Sequence, residues 1–458
     1  MGAPSPTVRA PAAVAAGRPP VLAVMVAFLA ITAALTLVVT LATRDLVRPP
    51  GYEYLDGPAW LDGWFSNDSG WYYAIAKSGY YYIPGVQSPI AFFPTYPMTV
   101  RGVGAVIGDD QVAGSLVAVV CGAATAVLFA QWVWRRLPRA GAVTAIAVLL
   151  LYPYAFYLYG AMYGESLFLL TAIGSFVLLE RRQYWLAGLV GALATAGRPV
   201  GVAVAVGLVV RMLELLAEQR ALTTAAASAG SVGSPPVEPV EPFEPVEPVE
   251  PVEPVEPAAL PNPGDRESAG DRSQYSRHPR WRELLRAVPA VRWREAGVLV
   301  SGLGLAAWCI YLWTQFGDPL AFVSVQAAPG WYQGSGPHTW FKVVYIGTMI
   351  FGPVDVAIRT TAQALMCLFA VLLLRRVWRR FGWGYTAYSV VVLAIPLLGT
   401  KDFMGTGRYV LVAFPVVAAA GDFLASRAPK WVRVAVLAVL GAGLMVATAF
   451  YARGVEVS

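Results

Sequence analysis

Of the 458 residues, 57% are AVILMFWYC and 14% are Asp, Glu, Lys or Arg, where a soluble domain carries about 25% charged residues. With a mean hydropathy of +0.56, this excludes a soluble globular domain, a disordered chain and a nucleic-acid binder with a basic face. The net charge of +6 comes from arginines beside apolar runs, where the positive-inside rule accounts for them. The three cysteines lie in apolar runs, and the two histidines form no H-x-x-x-H pattern. No disulfide framework, zinc site or other metal or cofactor is therefore expected.

Residues 1–20 carry Arg9 and Arg18 and read as a cytoplasmic tail. The run from Val21 to Thr43 matches the length of a membrane span and exceeds the roughly 7–15 residues of a signal h-region, so it is expected to be retained. Further apolar runs cover 111–134, 141–160, 163–180, 184–197, 199–213, 297–314, 358–374, 384–400, 409–425 and 432–451. The stretch from Tyr184 to Val210 reads as two segments, because Gly197-Arg198-Pro199 is a natural helix break. The fold expected is an all-α polytopic membrane protein of about eleven transmembrane helices. Alternating spans then put Arg135/Arg136/Arg139, Arg181/Arg182, Arg375/Arg376/Arg379/Arg380 and Arg427/Lys430/Arg433 on the N-terminal, cytoplasmic side.

An N-terminal half, 21–216, is expected to be joined to a C-terminal half, 297–458, by a cytoplasmic linker, 217–296. Within the linker, 237–257 is seven Val-Glu-Pro repeats, one with Phe243 for Val. Proline at every third position favours an extended polyproline II chain with no core, which reads as a spacer.

The first loop, 44–110, lies outside on this topology and is dense in Trp, Tyr and Phe. Trp71 to Lys77 reads as a short interfacial helix, capped at Ser66, Asn67 or Asp68 and closed by Gly79. On spacing alone a cap is the simpler explanation of Asp68, and Asp56 and Asp62 compete with it for any catalytic role. Glu165 reads as a solvated helix start stabilised by the dipole. Arg198, at the outer break between two spans, is a functional candidate by default. Asp318, Gln326, His338, Arg359, Lys401, Asp402 and Arg408 fall on the same side, and His338 alone reads as a loop residue. A proton-coupled transporter would carry acidic residues near the bilayer midplane. Here charge gathers at the outer span ends, which favours interfacial chemistry on a lipid-borne substrate.

Six segments, in order, resemble the PIG-V-type mannosyltransferases of the GT-C superfamily. Asn67-Asp68-Ser69-Gly70-Trp71-Tyr72-Tyr73-Ala74-Ile75-Ala76-Lys77-Ser78-Gly79-Tyr80 is similar to a W-D-a-x-W-Y-x-x-I-A-x-x-G-Y pattern, and Phe92-Phe93-Pro94-Thr95-Tyr96-Pro97 to F-F-P-L-Y-P. Tyr163-Gly164-Glu165-Ser166-Leu167-Phe168 resembles Y-S-E-S-L-F, and 192–201, centred on Arg198-Pro199, resembles A-T-A-T-R-P-x-G. Phe316-Gly317-Asp318-Pro319-Leu320-Ala321-Phe322 with Gln326 resembles F-G-D-P-L-A-F, and Gly407-Arg408-Tyr409-Val410-Leu411 with Phe414-Pro415 resembles R-Y-x-L-x-x-F-P.

The resemblance implies a GT-C-like bundle with a catalytic, extracytoplasmic first loop. It also implies a hexosyltransferase that inverts configuration as it moves mannose from a polyprenyl-phosphate to an envelope glycolipid, glycan or protein. Asp68 would be the general base, and Arg198, Arg408 and Lys401 would bind the donor phosphate. Trp71, Tyr72, Tyr80, Glu165 and Gln326 would contact substrate. A lipid phosphate is a good leaving group, so one carboxylate suffices, unlike the pair a glycosidase needs. The alternatives are a GT-C transferase of another sugar and a lipid-linked sugar flippase or transporter.

Overall fold

The computed structural model describes residues 15, 17–46, 55, 57–230, 278–334 and 336–457, without the side chains of 225–230. Asp56 and the Val-Glu-Pro repeats lie outside the described residues. In chain order the helices are α1 (Val21–Thr43), α2 (Ser69–Ser78), α3 (Thr95–Ile107), α4 (Asp110–Trp134), α5 (Arg139–Leu151), α6 (Glu165–Glu180), α7 (Tyr184–Thr195) and α8 (Val202–Gly230). There follow α9 (Trp281–Ala287), α10 (Trp293–Ala296), α11 (Leu303–Phe316), α12 (Ala321–Ser324), α13 (Pro337–Trp340), α14 (Val343–Phe351) and α15 (Val354–Phe381). The last four are α16 (Trp383–Gly399), α17 (Thr406–Val412), α18 (Phe414–Arg427) and α19 (Lys430–Ala452). Among the described residues there is no strand.

The apolar runs of the sequence are largely helical, yet among the described residues six helices have the length and composition of a bilayer span, or seven if the bent pair α17–α18 counts as one. This is a polytopic membrane protein with fewer full-length spans than the eleven expected. The reason is geometric. Helix α7 has 12 residues and α5 has 13, which at 1.5 Å per residue reach about 18–20 Å, well under the roughly 30 Å of a hydrocarbon core. Hydropathy counts apolar stretches, and several of them stop short of crossing.

Local chemistry sets the breaks. Asp109 caps α4, its Oδ1 accepting the N–H groups of Gln111 and Val112 at 2.8 and 2.9 Å, the bond an N-cap supplies. Pro199 forces the residue before it out of helical geometry, and Arg198 is extended (φ −160°, ψ 155°). The chain therefore divides into α7 and α8 at the Gly-Arg-Pro break. Between α17 and α18 the axis bends by 81° where Pro415 occupies the first turn of α18.

Residues 1–212 with 291–458 form one compact unit, and 213–290 a second. In the first, α1 buries Val24, Phe28, Leu35 and Val39 along one stripe, while Leu22, Val26, Leu29, Leu37 and Leu41 on the rest of its surface are exposed. A helix apolar all round but buried on only one face is built to meet lipid. Elsewhere the packing is close: at Gly421 of α18 a Cβ would overlap the Ala145 backbone of α5, the small-residue contact that lets membrane helices approach. At the far ends of α4, α6, α15 and α18, arginines meet the few carboxylates. Arg376 and Arg380 donate to Asp422 Oδ2 at 2.8 and 2.9 Å, and Arg136 and Arg211 pair with Glu180. In the second unit, α8 runs through residues 217–230, and α9 lies at 281–287; α10 lies at 293–296 in the first. Helical turns thus occupy both ends of the stretch expected to be a linker, where Glu, Gln, Arg, Ala and Leu are good helix formers. Buried Glu214 there faces His278 Nδ1 at 3.5 Å.

Candidate active site

The site is built where the first loop meets the starts of α6 and α17 and the α7–α8 break. Asn67 takes a left-handed conformation (φ 53°), which Asn tolerates better than most residues, and so turns the chain into α2. Asp68 stands at the N-cap position, but its side chain makes no capping bond. Instead Oδ2 accepts from Arg408 Nη1 at 3.1 Å, with 27% of the Asp68 side chain exposed. The capping explanation of Asp68 is thus overturned: the carboxylate is turned away from the helix it precedes. Its backbone N–H donates to the Tyr163 hydroxyl at 2.8 Å.

Glu165, at the first turn of α6, is fully buried and ion-paired with Arg198, itself 7% exposed. The expected solvated helix start is corrected, because Arg198 crosses from the α7–α8 break to neutralise it inside the protein. Arg198 and Arg408 both lie against the Tyr409 ring, their Cζ atoms 5.5 and 5.8 Å from its centroid. The two carboxylates and two guanidiniums thus gather around one aromatic side chain. Several of their atoms are left over. Arg408 Nε is buried with no hydrogen-bond partner among the described residues, and outside the ion pair neither Glu165 oxygen has one. Orphan donors and acceptors of this kind in a folded protein call for an explanation.

Tyr72 is buried among Phe92, Tyr96 and Tyr163, at ring separations of 5.2, 5.1 and 5.7 Å. Burial pushes its hydroxyl pKa up, nearby Glu165 and Asp68 push the same way, and Arg198 and Arg408 oppose them. It stays a protonated donor at neutral pH, within electrostatic reach of all four charged groups. Half-buried Trp71 stacks on Phe92 at 5.9 Å and meets Trp331 edge-on at the same distance, giving an aromatic wall beside the charges.

Close packing holds Arg408 in place. At Gly407 any Cβ would overlap the Tyr154 ring, and Tyr152 donates to the Gly407 carbonyl at 3.0 Å. Gly407→Ala is expected to cost about 1–3 kcal/mol through overpacking and to displace Arg408. A lowered melting temperature of the detergent-solubilised protein checks the first effect.

Other expected site residues make their bonds outside the four charged groups. The Tyr80 hydroxyl donates to the Phe92 carbonyl at 3.0 Å, and its ring packs on Trp308, so it supports the aromatic wall from behind. Lys401 sits over Tyr332 at 5.6 Å and its N–H donates to Gln333 Oε1. No hydrogen bond or ion pair joins it to Asp68, Arg198 or Arg408 among the described residues. The Gln326 carbonyl accepts from the Gln333 N–H, in the same loop. Asp62 accepts from Gln111 Nε2 at 3.2 Å. Asp318 and Asp402 each close a turn on a backbone N–H two residues on, and Arg359 pairs with Asp355. Lys342 is buried with its ammonium donating to Thr400 O and Oγ1 at 2.6 and 3.1 Å, and burial pulls its pKa down to about 8.

Three contributors escaped sequence reasoning. Tyr163 and Tyr409 neighbour residues already singled out, and that adjacency was the available signal. Tyr451, in the final helix, bonds Ser69 at 2.9 Å and donates to the Trp64 carbonyl at 3.0 Å; nothing local to it marked it.

No family model matches the chain, and no curated protein matches it, so the PIG-V-type resemblance rests on its six segments. Among solved structures the chain is similar to the apo form of the Archaeoglobus fulgidus oligosaccharyltransferase, at TM-score 0.40 and 11% identity over 94% of this chain and 56% of that one. It is similar also to AglB of Archaeoglobus fulgidus in complex with an inhibitory peptide and a dolichol-phosphate, at TM-score 0.37 with the same identity and coverage. The chain spans little more than half the length of those proteins. Likeness at this level carries no assignment of reaction.

Proposed function

We propose that the protein is an integral-membrane glycosyltransferase that moves a sugar, mannose by the resemblance, from a polyprenyl-phosphate to an acceptor hydroxyl with inversion at C1. The observation that carries this reading is the pairing of one partly exposed carboxylate, Asp68, with Arg408, which shares the Tyr409 ring with Arg198 and keeps a buried Nε–H unpartnered among the described residues.

In the resting site Arg408 neutralises Asp68. A donor phosphate competes for that guanidinium, and its arrival frees the carboxylate to take the acceptor proton as the hydroxyl attacks C1 from the face opposite the phosphate. Arg408, with Arg198 behind it, then stabilises the charge that builds on the departing phosphate. Tyr72 offers a proton-bearing hydroxyl to an oxygen of donor or sugar, and the Trp71–Phe92–Trp331 wall suits a sugar face or an isoprenoid unit. The site lies at the end of α6 opposite Glu180 and its arginine partners, which by the positive-inside rule supports an extracytoplasmic location. The acceptor is then an envelope glycolipid, glycan or secreted protein.

Membranes containing the protein, given labelled polyprenyl-phosphomannose and a total lipid and glycan extract, are expected to yield a labelled product with the anomeric configuration inverted. Label that crosses the bilayer but never changes carrier would instead indicate a flippase. Arg408→Lys and Arg198→Lys separate a clamp from an anchor, since lysine keeps charge and reach but loses the planar fork. A phosphate clamp loses about 1.5–3 kcal/mol of charge-assisted bonding, a roughly tenfold to hundredfold fall in turnover at fixed donor. Wild-type rates from both variants would rule the clamp out.

A further inference from the structure

At the ends of α4 and α6 remote from Asp68 there is a second concavity, a cavity of about 400 Å³. Four arginines line it, Arg135, Arg136, Arg181 and Arg211, against one carboxylate, Glu180. Two of the four are already committed. Arg211 donates from Nε to Glu180 Oε1 at 2.9 Å, and Arg136 lies 3.2 Å from the same oxygen while stacking on Trp132 at 5.0 Å. Tyr385 adds a hydrogen bond to that carboxylate at 3.1 Å. The result is a rigid floor that keeps one net positive charge. Arg135 and Arg181 stand at the mouth, exposed, and neither side chain has a hydrogen bond or ion pair among the described residues. The cavity therefore offers two uncommitted guanidinium forks over a fixed base, a donor set matched to phosphate oxygens.

The remaining walls favour a particular source of phosphate. Leu128 and Val177 also line the cavity. They lie seven and four residues inward of Arg135 and Arg181, about 10 and 6 Å along their helices. A charged mouth at the helix ends thus passes inward, past Gln131, to apolar side chains on α4 and α6, which fits a headgroup with the start of its acyl chains better than a free anion.

We propose that this cavity binds the phosphate headgroup of an anionic membrane lipid, in the leaflet on the arginine-rich side and independently of the Asp68 site. Basic pockets between membrane helices are suited to such headgroups. The test titrates the full-length protein in detergent with phosphatidylglycerol, with phosphatidylcholine of the same chains and with inorganic phosphate, reading bound lipid by native mass spectrometry. One retained phosphatidylglycerol is expected, with little phosphatidylcholine. In the Arg135→Gln/Arg181→Gln protein its affinity should fall roughly tenfold to thirtyfold, and Arg135→Lys/Arg181→Lys, which keeps the charge but loses the planar forks, should restore only part of it. Both residues are exposed, so neither variant threatens folding. Equal binding of the two lipids, or unchanged phosphatidylglycerol affinity in the Gln variant, overturns the proposal. Inorganic phosphate binding alone as tightly as phosphatidylglycerol overturns the lipid assignment in favour of a soluble phosphate compound.

Discussion

Asp68→Asn is expected to lower sugar transfer by roughly 10²–10⁴-fold, the range a positioned general base supplies, while the protein still inserts and folds. The side chain caps no helix, so the substitution removes no local bond that α2 depends on, and an amide still accepts from Arg408. Donor affinity should hold or rise, because the phosphate no longer competes with a carboxylate for Arg408. Single-turnover rates and donor binding, measured separately, distinguish this from a general loss of structure. Asp62→Asn is the control: Asp62 accepts from Gln111 beside α4, and its loss is expected to leave turnover near wild type. The reverse pattern would move the base from Asp68 to Asp62.

The second large effect concerns stability. Glu165 is fully buried and its partner Arg198 nearly so, so Glu165→Ala leaves a guanidinium in a low-dielectric site with no counter-charge. Breaking a buried pair from one side costs about 3–5 kcal/mol, whereas replacing both members with apolar groups of similar volume is often close to neutral. Glu165→Ala and Arg198→Ala are therefore each expected to lower the melting temperature sharply. Glu165→Leu combined with Arg198→Met should recover most of the lost stability yet remain inactive, because the phosphate-binding charge is gone. Recovery of transfer along with stability would show that the pair serves packing alone.

The helices were largely legible because composition and local breakers decide them. Val21–Thr43 has no interruption, and Gly197-Arg198-Pro199 carries its own stop signal. The number of complete spans was not legible, since a run such as 141–160 is uniformly apolar, yet Pro153 ends regular helix near Leu151 and a tighter turn takes over. In the site, the resemblance singled out Asp68, Arg198 and Arg408, while spacing alone favoured a cap for Asp68, and their pairing did not follow from the chain. Arg408 reaches back 340 positions to Asp68, and no periodicity encodes such a meeting. The same limit applies to Lys401: sharing a side of the membrane with Arg408 says nothing of which groups it bonds, and its contacts are with Tyr332 and Gln333. The buried Glu165 looked like an ordinary acidic first turn because the cation that explains it stands on another helix.

Tyr451 ties the loop to a distant helix. Its hydroxyl bonds Ser69 and the Trp64 carbonyl across more than 380 residues, so the loop that presents Asp68 is fastened from α19 and does not stand on its own contacts alone. A disturbance of α19 is therefore felt at Asp68, and Tyr451→Phe, which keeps the ring but removes the hydroxyl, would loosen the loop without emptying the space around it.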